Sequence, residues 1–370
     1  MLNITQKIKS LIPMHEIEQG AQKQIYDNAE IPFVLKLAIM PDCHQGYDLP
    51  IGAVALVEDH ICPSYVGYDI GCGMTFMNSD LPVDEYSVER KQKIYDDIVK
   101  VIPVGFNENQ DGTTYEHNFE SAFGDKELTN AVNEKLGRQY GTLGSGNHFI
   151  EIGTNHQRLI CVTIHCGSRR PGWLIGNWYM NKAKQNISAP YKKFFDINSA
   201  LGQAYLSDMN FALQYSLDNR KRILQKVCNV LNVKMSIHIN ENHNHAVIYD
   251  EDKYLVLHRK GATPADKGQL GVIPGSMLTG TYITSGRGND EYLSSASHGA
   301  GRKMGRGFAK KNIDLDHFKE QMKGIVANVS EETLDEAPDA YKDLEYVINA
   351  QRGIVIDVVD HIDPLINVKG

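Results

Sequence analysis

The chain has 370 residues, 42% of them apolar, and a formal charge of -8. That length and apolar share suffice for one large or two ordinary folded domains with a sizeable core. The acidity argues against a protein that coats nucleic acid nonspecifically, while leaving room for a local basic groove.

In chain order, residues 17 to 31 and 83 to 101 mix charged and apolar positions at helical spacing, and Val83-Asp84-Glu85 gives the second an acidic first turn. Both read as surface helices. Short β-branched runs at 51 to 57, 149 to 152, 159 to 164, 254 to 257 and 354 to 359 read as strands of buried sheets. The polar stretch 104 to 116 reads as a mobile loop. Between 199 and 231, apolar positions at Leu201, Tyr205, Met209, Leu213, Leu217, Ile223, Val227 and Val230 suit a long helix or a helical hairpin, with Lys221 and Arg222 on its exposed face. With no internal repeat and no low-complexity linker, the expected organisation is one α+β domain spanning 1–370.

The apolar runs fall far short of the roughly 20 residues a membrane-spanning helix needs, and the first residues lack the basic and apolar regions of an export signal. A cytoplasmic location and no membrane partner are expected. Six cysteines without any Cys-x-x-Cys spacing read as reduced thiols, not as disulfides or a zinc finger.

Five candidate metal ligands lie in short polar or glycine-rich stretches: Asp69, Cys72, His148, His165 and His243. Glycines beside Asp69 and Cys72 permit a tight backbone path that aims a carboxylate and a thiolate at one ion. A buried structural cysteine next to a turn-forming aspartate explains the same residues equally well. His148 precedes one strand-like run and His165 ends another, and each taken alone fits a hydrogen-bonded structural histidine. In Glu241-Asn-His-Asn-His245, His243 and His245 share a face if the segment is a strand. Alternatively His243 takes a metal, Asn244 a ligand oxygen, and His245 supports the fold. Such a mixed donor set suits manganese, cobalt or zinc better than calcium or magnesium.

Ser294-Ser-Ala-Ser-His298-Gly-Ala-Gly-Arg302 offers an imidazole, backbone amides unobstructed by side chains, and a fixed cation. A phosphate can approach there and His298 can attack it; a helix N-cap serine followed by small packing residues is the plainer reading. His258-Arg-Lys-Gly-Ala-Thr263 supplies further cations suited to phosphate, or an exposed charged turn.

Together these motifs resemble the RtcB family of RNA ligases over nearly the whole chain. The matching segments are Met40-Pro-Asp-Cys-His-Gln-Gly46, Val66-Gly-Tyr-Asp-Ile-Gly-Cys-Gly-Met74, Gly141-Thr-Leu-Gly-Ser-Gly-Asn-His-Phe-Ile-Glu151, Ile164-His-Cys-Gly-Ser-Arg169, Arg259-Lys-Gly-Ala262, Ile273-Pro-Gly-Ser-Met277, Ser297-His-Gly-Ala-Gly-Arg302, Ala340-Tyr-Lys342 and Val368-Lys-Gly370. The resemblance implies an αβ sandwich around a deep cleft with two manganese ions bridged by Cys72, one completed by Asp69 and His148, the other by His165 and His243. It implies that His298 is guanylylated by GTP. It also implies a guanine-nucleotide pocket of Asn147, His148, Phe149, Ile150, Glu151, His243, Asn244, Pro274, Gly275, Ser276, Met277, Thr281, His298, Gly299, Ala300, Gly301, Tyr341 and Lys369. RNA bearing a 3′-phosphate or 2′,3′-cyclic phosphate would be joined to a 5′-hydroxyl end, in RNA repair or tRNA splicing, with Arg169, Arg170, Arg302 and Arg306 along the RNA path. No activating protein partner is identified by the motifs. The competing expectation is a metallophosphoesterase that processes RNA ends without sealing them.

Overall fold

A computed structural model describes residues 4–185, 191 and 193–370. Its fold is α+β, with two sheets that meet at the candidate ligands. The first has five strands in the order Ile8–Ser10, Val34–His44, Ile51–Glu58, Leu255–Lys260, Asn244–Asp250; the Ile8–Ser10 pairing is parallel and the others antiparallel. The second runs Leu270–Pro274, Thr281–Gly286, Ile356–Lys369, Phe149–Thr154, Leu159–Cys166, Gly73–Pro82, Ile239–Asn242, all antiparallel, and Val326–Ala327 adds a parallel strand against Ile356–Lys369.

Every apolar run expected to be a strand is one, but the boundaries grew. The last expected run begins two residues late and continues to Lys369, because its C-terminal half is walled in by Phe149–Thr154 and buried. The strands Val34–His44 and Gly73–Pro82 carry too many polar or small residues to stand out in the sequence, yet both are central and mostly buried.

The segment 199–231 is one helix, Ala200–Leu231, capped by Ser199, whose side chain accepts from the Gly202 amide, and closed by Asn232 in the left-handed region. It is not a hairpin. Tyr205, Met209, Ala212 and Tyr215 on its first half pack in one hydrophobic cluster, and Ile223, Leu224, Val227 and Leu231 on its second half in another, so the helix joins two cores. Each such fully buried large side chain contributes about 1.5–3 kcal/mol. Lys221 and Arg222 are exposed as expected. The helix expected over 17 to 31 spans Gln19–Ala29. The one expected from 83 starts later: Val83–Glu85 forms a separate 3-10 turn, and Val88–Val101 is capped by Ser87, with Glu89 as its first-turn acid. Ser87 sets the start because its hydroxyl accepts from the Arg90 amide. Residues 104 to 116 contain no helix or multi-residue strand. All six cysteines are free and buried, and among the described residues no helix is long and apolar enough to cross a membrane.

Candidate functional site

Sheet register brings the scattered donors to one end of the larger sheet. Phe149 pairs with His165, which places His148 beside the end of the Leu159–Cys166 strand. Gly73 pairs with Cys166 on one side and Asn242 on the other. Cys72 precedes Gly73 and His243 follows Asn242, so both land in the same row, and the His243 amide donates to the Cys72 carbonyl at 2.7 Å. His243 is also where the chain leaves the larger sheet and enters the smaller one at Asn244. His243 and His245 therefore face different surroundings: His243 meets His165, while His245 is buried against the Arg259 guanidinium at 3.2 Å.

The donor atoms converge. Cys72 Sγ lies 3.4 Å from His148 Nε2 and 3.2 Å from His165 Nε2; His165 Nε2 lies 3.3 Å from His243 Nε2, and Asp69 Oδ2 3.0 Å from His148 Nε2. The remaining nitrogens of two rings are held by main chain: His148 Nδ1 donates to the Leu143 carbonyl and His165 Nδ1 to the Asn147 carbonyl, both at 3.0 Å. That fixes the ring orientations and points both Nε2 atoms inward, the orientation metal-binding imidazoles adopt. The cluster Cys72, His148, His165 has the spacing of a metal site, its ligand atoms all within 4.8 Å of one another.

The loop that carries Asp69 and Cys72 depends on glycine. Gly71 has φ +73, and a Cβ there would sit 2.8 Å from the Ser216 side chain of the long helix. A Cβ on Gly167 would sit 2.1 Å from Asp69 Oδ1, so the carboxylate can reach His148 only because Gly167 has no side chain. Behind the loop, the fully buried Arg220 guanidinium donates to the carbonyls of Gly71 and Cys166, both at 2.9 Å, and to the Asn242 side chain at 2.8 Å. One residue thus ties together the three segments that present Cys72, His165 and His243.

Electrostatics agree with a cation site. Burial pushes the Cys72 thiol up to about 12 and Asp69 adds to the shift. Burial acts to raise the Asp69 carboxyl too, but the His148 ring outweighs it and holds the carboxyl at about 2. Burial, then the neighbouring imidazoles, keep His165 and His243 well below the ordinary histidine range. Only His148 goes the other way: burial would lower it, and the sulfurs of Cys166 and Cys72 together with Asp69 hold it above. Neutral imidazoles facing each other, with a proton trapped between an imidazole and a carboxylate, are the arrangement a divalent cation relieves by displacing that proton. The residues fit a metal.

A cavity of about 370 Å³ opens over these donors. Asp69, Cys72, His165 and His243 line it, as do Asn147, Phe149, Asn244, Pro274, Gly275, His298, Gly299, Ala300, Gly301, Tyr341 and Lys369 from the expected nucleotide pocket. Six expected pocket residues do not reach its surface. Ile150 is in the hydrophobic core and Met277 in another cluster; Ser276 bonds Thr279; Glu151 and Thr281 bond each other, Thr281 Oγ1 donating to the carboxylate at 2.8 Å. Burial raises Glu151 to about 7. His148 lies beneath the surface at 4% exposure. A larger open groove of about 1040 Å³ beside Phe106 is lined by none of the candidate residues.

His298 stands directly beside the donors, its ring centroid 4.8 Å from that of His243. It follows the strand Ser295–Ser297, and the next helix begins only at Arg306, so the N-cap reading of this motif fails: the serines pair in a sheet instead. Its Nδ1 donates to Asp42 Oδ2 at 2.6 Å, and its backbone amide donates to the same oxygen at 3.2 Å. Asp42 is fully buried in Val34–His44. It lies inside a motif that the sequence singled out without assigning it a role.

The basic residues divide. The exposed-turn reading of His258-Arg-Lys fails, because these residues belong to the buried strand Leu255–Lys260 and Arg259 is enclosed at 5% exposure. Lys260 alone reaches the cavity, donating to the carbonyls of Tyr47 and Ser64, and burial lowers it to about 8. Arg169 leans on His148 Nδ1 at 3.5 Å, and Arg170 is exposed. Arg302 and Arg306 line the cavity but both pair with Glu336, which also receives Lys369 and the Tyr341 hydroxyl. Glu336 is the second residue that sequence reasoning passed over; its signal was only its closeness to Ala340-Tyr-Lys342. Arg220 had none beyond being a charge on an apolar helix face.

Comparison with known proteins gives a family model described as tRNA-splicing ligase RtcB, matching residues 24–137 and 109–370. An RNA-splicing ligase RtcB1 of Escherichia coli is 30% identical over 96% of this chain and 95% of its own length. An RNA-splicing ligase RtcB homolog 1 of Entamoeba histolytica is 32% identical over 94% of this chain and 83% of its own. A tRNA-splicing ligase RtcB of Archaeoglobus fulgidus is 28% identical over 99% and 93%.

Proposed function

The chain belongs to the RtcB family and is an RNA ligase of RNA repair or splicing, and we propose that it joins 3′-phosphate or 2′,3′-cyclic phosphate ends to 5′-hydroxyl ends through GMP carried on His298. The observation that carries this reading is the Asp42–His298 pair beside the metal donors in one cavity. By accepting the Nδ1 proton, Asp42 holds His298 in the tautomer whose Nε2 lone pair is free to act as a nucleophile.

His298 Nε2 then attacks the α-phosphorus of GTP; the P–N bond forms as the P–O bond to pyrophosphate breaks. A water opens a cyclic end to the 3′-phosphate. An oxygen of that 3′-phosphate attacks the phosphorus on His298, the P–N bond breaks, and the histidine is restored. Finally the 5′-hydroxyl attacks the 3′-phosphorus and GMP leaves, so the atoms balance with GTP and, for a cyclic end, one water as co-reactants. Asn147, Asn244, Lys260 and the small segment Gly299 to Gly301 surround the place where phosphates must lie, and Phe149, Tyr341 and Lys369 the place where the guanine would stack and be read. Glu151 and Thr281 act as a supporting wall.

Two divalent ions, of manganese, would be held with Cys72 shared between them, Asp69 and His148 on one side and His165 and His243 on the other; Cys72 Sγ within 3.4 Å of a ring nitrogen on each side supports the sharing. Bound there, they neutralise phosphate charge and make phosphorus more electrophilic. Residues 1–370 would act as one cytoplasmic catalytic domain. A phosphoesterase that only trims ends is not favoured: it would leave the Asp42–His298 pair without a task.

The test is incubation with manganese and GTP labelled at the α-phosphate. Acid-labile, alkali-stable label on the wild type and none on His298→Ala is expected. An unlabelled wild type, or label that persists in the variant, overturns the mechanism.

A further inference from the structure

Part of the wall of the metal cavity is aromatic. Tyr47 and Tyr68 line both that cavity and a neighbouring one of about 390 Å³, and so form the ridge between them. Their rings meet edge to face, with centroids 5.7 Å apart at 87°. Tyr68 in turn lies nearly parallel to Trp173, 6.0 Å away at 19°, and the Arg170 guanidinium caps the Trp173 ring at 3.9 Å. Tyr47 is 69% exposed, a large aromatic in water at the mouth of a cleft. The second cavity is lined by Lys184 and Lys193 against one carboxylate, Asp48, and neither lysine pairs with a carboxylate among the described residues.

Stacked rings beside unneutralised cations are the two components of a single-stranded nucleic-acid platform: each base has a face for a ring, each phosphate a charge for a lysine. Bases inside a duplex are stacked on both faces and a blunt end offers only the outer face of its last pair, so such a platform favours unpaired ends over duplex ones. On the reading that RNA is the substrate, we infer that Tyr47 and Tyr68, backed by Trp173 with its Arg170 cap, form a shelf that stacks the unpaired terminal nucleotides of an RNA strand and feeds its end over the ridge to the metal donors, the phosphates running past Lys184 and Lys193. The preferred substrate is then an RNA broken in a loop or at an overhang, in preference to a nick held inside a duplex.

Binding of two fluorescent RNAs to the manganese-loaded enzyme, measured by anisotropy without GTP, tests this. Both are duplexes with a 3′-phosphate; one end is blunt and the other carries a few unpaired nucleotides. The wild type should bind the unpaired end roughly tenfold more tightly, and Trp173→Ala or Tyr68→Ala should erase most of that gap while Trp173→Phe keeps it. Tyr47→Ala, at an exposed position where the fold is not at risk, should narrow it too. Equal affinity of the wild type for both RNAs, or a gap that survives the alanine variants, overturns the inference. A wild type that takes no label from GTP yet shows the gap would sink the histidine step and leave the shelf standing; a labelled enzyme indifferent to unpaired bases would do the reverse.

Discussion

At the scale of single residues, two buried carboxylates do different work. One Asp42 oxygen accepts twice from His298 and the other has no hydrogen-bond partner, so on the proposed mechanism Asp42 serves to fix one tautomer. Asp42→Asn should slow labelling of His298 by roughly a hundredfold or more while nucleotide binding changes little, read from single-turnover label transfer. Glu336 is instead the centre of a charge cluster. Burial acts to raise its carboxyl, but Lys369 and Arg306 hold it at about 2, below its ordinary 4.5. A depressed acid contributes stability above its unfolded value and loses it as pH falls, here from about 4.5 towards 2. Glu336→Gln leaves Lys369, Arg302 and Arg306 short of a counter-charge and should lower unfolding stability at neutral pH by about 3–5 kcal/mol. In urea melts the gap between variant and wild type should close across that acid window. A gap that stays constant with pH would remove the charge explanation. The same pairing argues that Arg302 and Arg306 hold the pocket together before they touch any RNA.

At the scale of elements, the long helix Ala200–Leu231 does more than fill space, because Arg220 crosses from it to the three ligand-bearing segments. Arg220→Met keeps the apolar packing and removes those bonds. It should weaken manganese binding roughly tenfold or more, measured by titration calorimetry, with the helix content unchanged by circular dichroism. Affinity equal to wild type would show that the loop holds its shape unaided. Helix and strand identities were legible here wherever periodicity was strong, as in 199–231 and 159–164. They were not legible in Val34–His44 or Gly73–Pro82, where burial comes from neighbours on both sides and not from the strand's own pattern.

At the scale of the molecule, the metal donors span both sheets, since His243 is the point where the chain passes from one to the other. Metal binding should therefore stabilise the whole fold, by mass action on the folded state alone. Manganese is expected to raise the wild-type melting temperature by several degrees and chelation to reverse it, whereas Cys72→Ala should show little response. A variant that responds like wild type would deny Cys72 its shared place.

The sequence by itself determined the family and pointed to the candidate donors and candidate nucleophile, because chemistry restricts which side chains can ligate a divalent ion or attack phosphorus, and short motifs hold those side chains with their glycines. Only the tertiary structure decided which histidine of Glu241 to His245 lies among the candidate donors, that Asp42 bonds to His298, that Glu336 and Arg220 tie together the pocket and the loop, and that Tyr47, Tyr68 and Trp173 form one surface. Each of those depends on strand register, on the sheet crossover, or on residues far apart in the chain meeting across a cavity, and a linear pattern does not carry distances between segments.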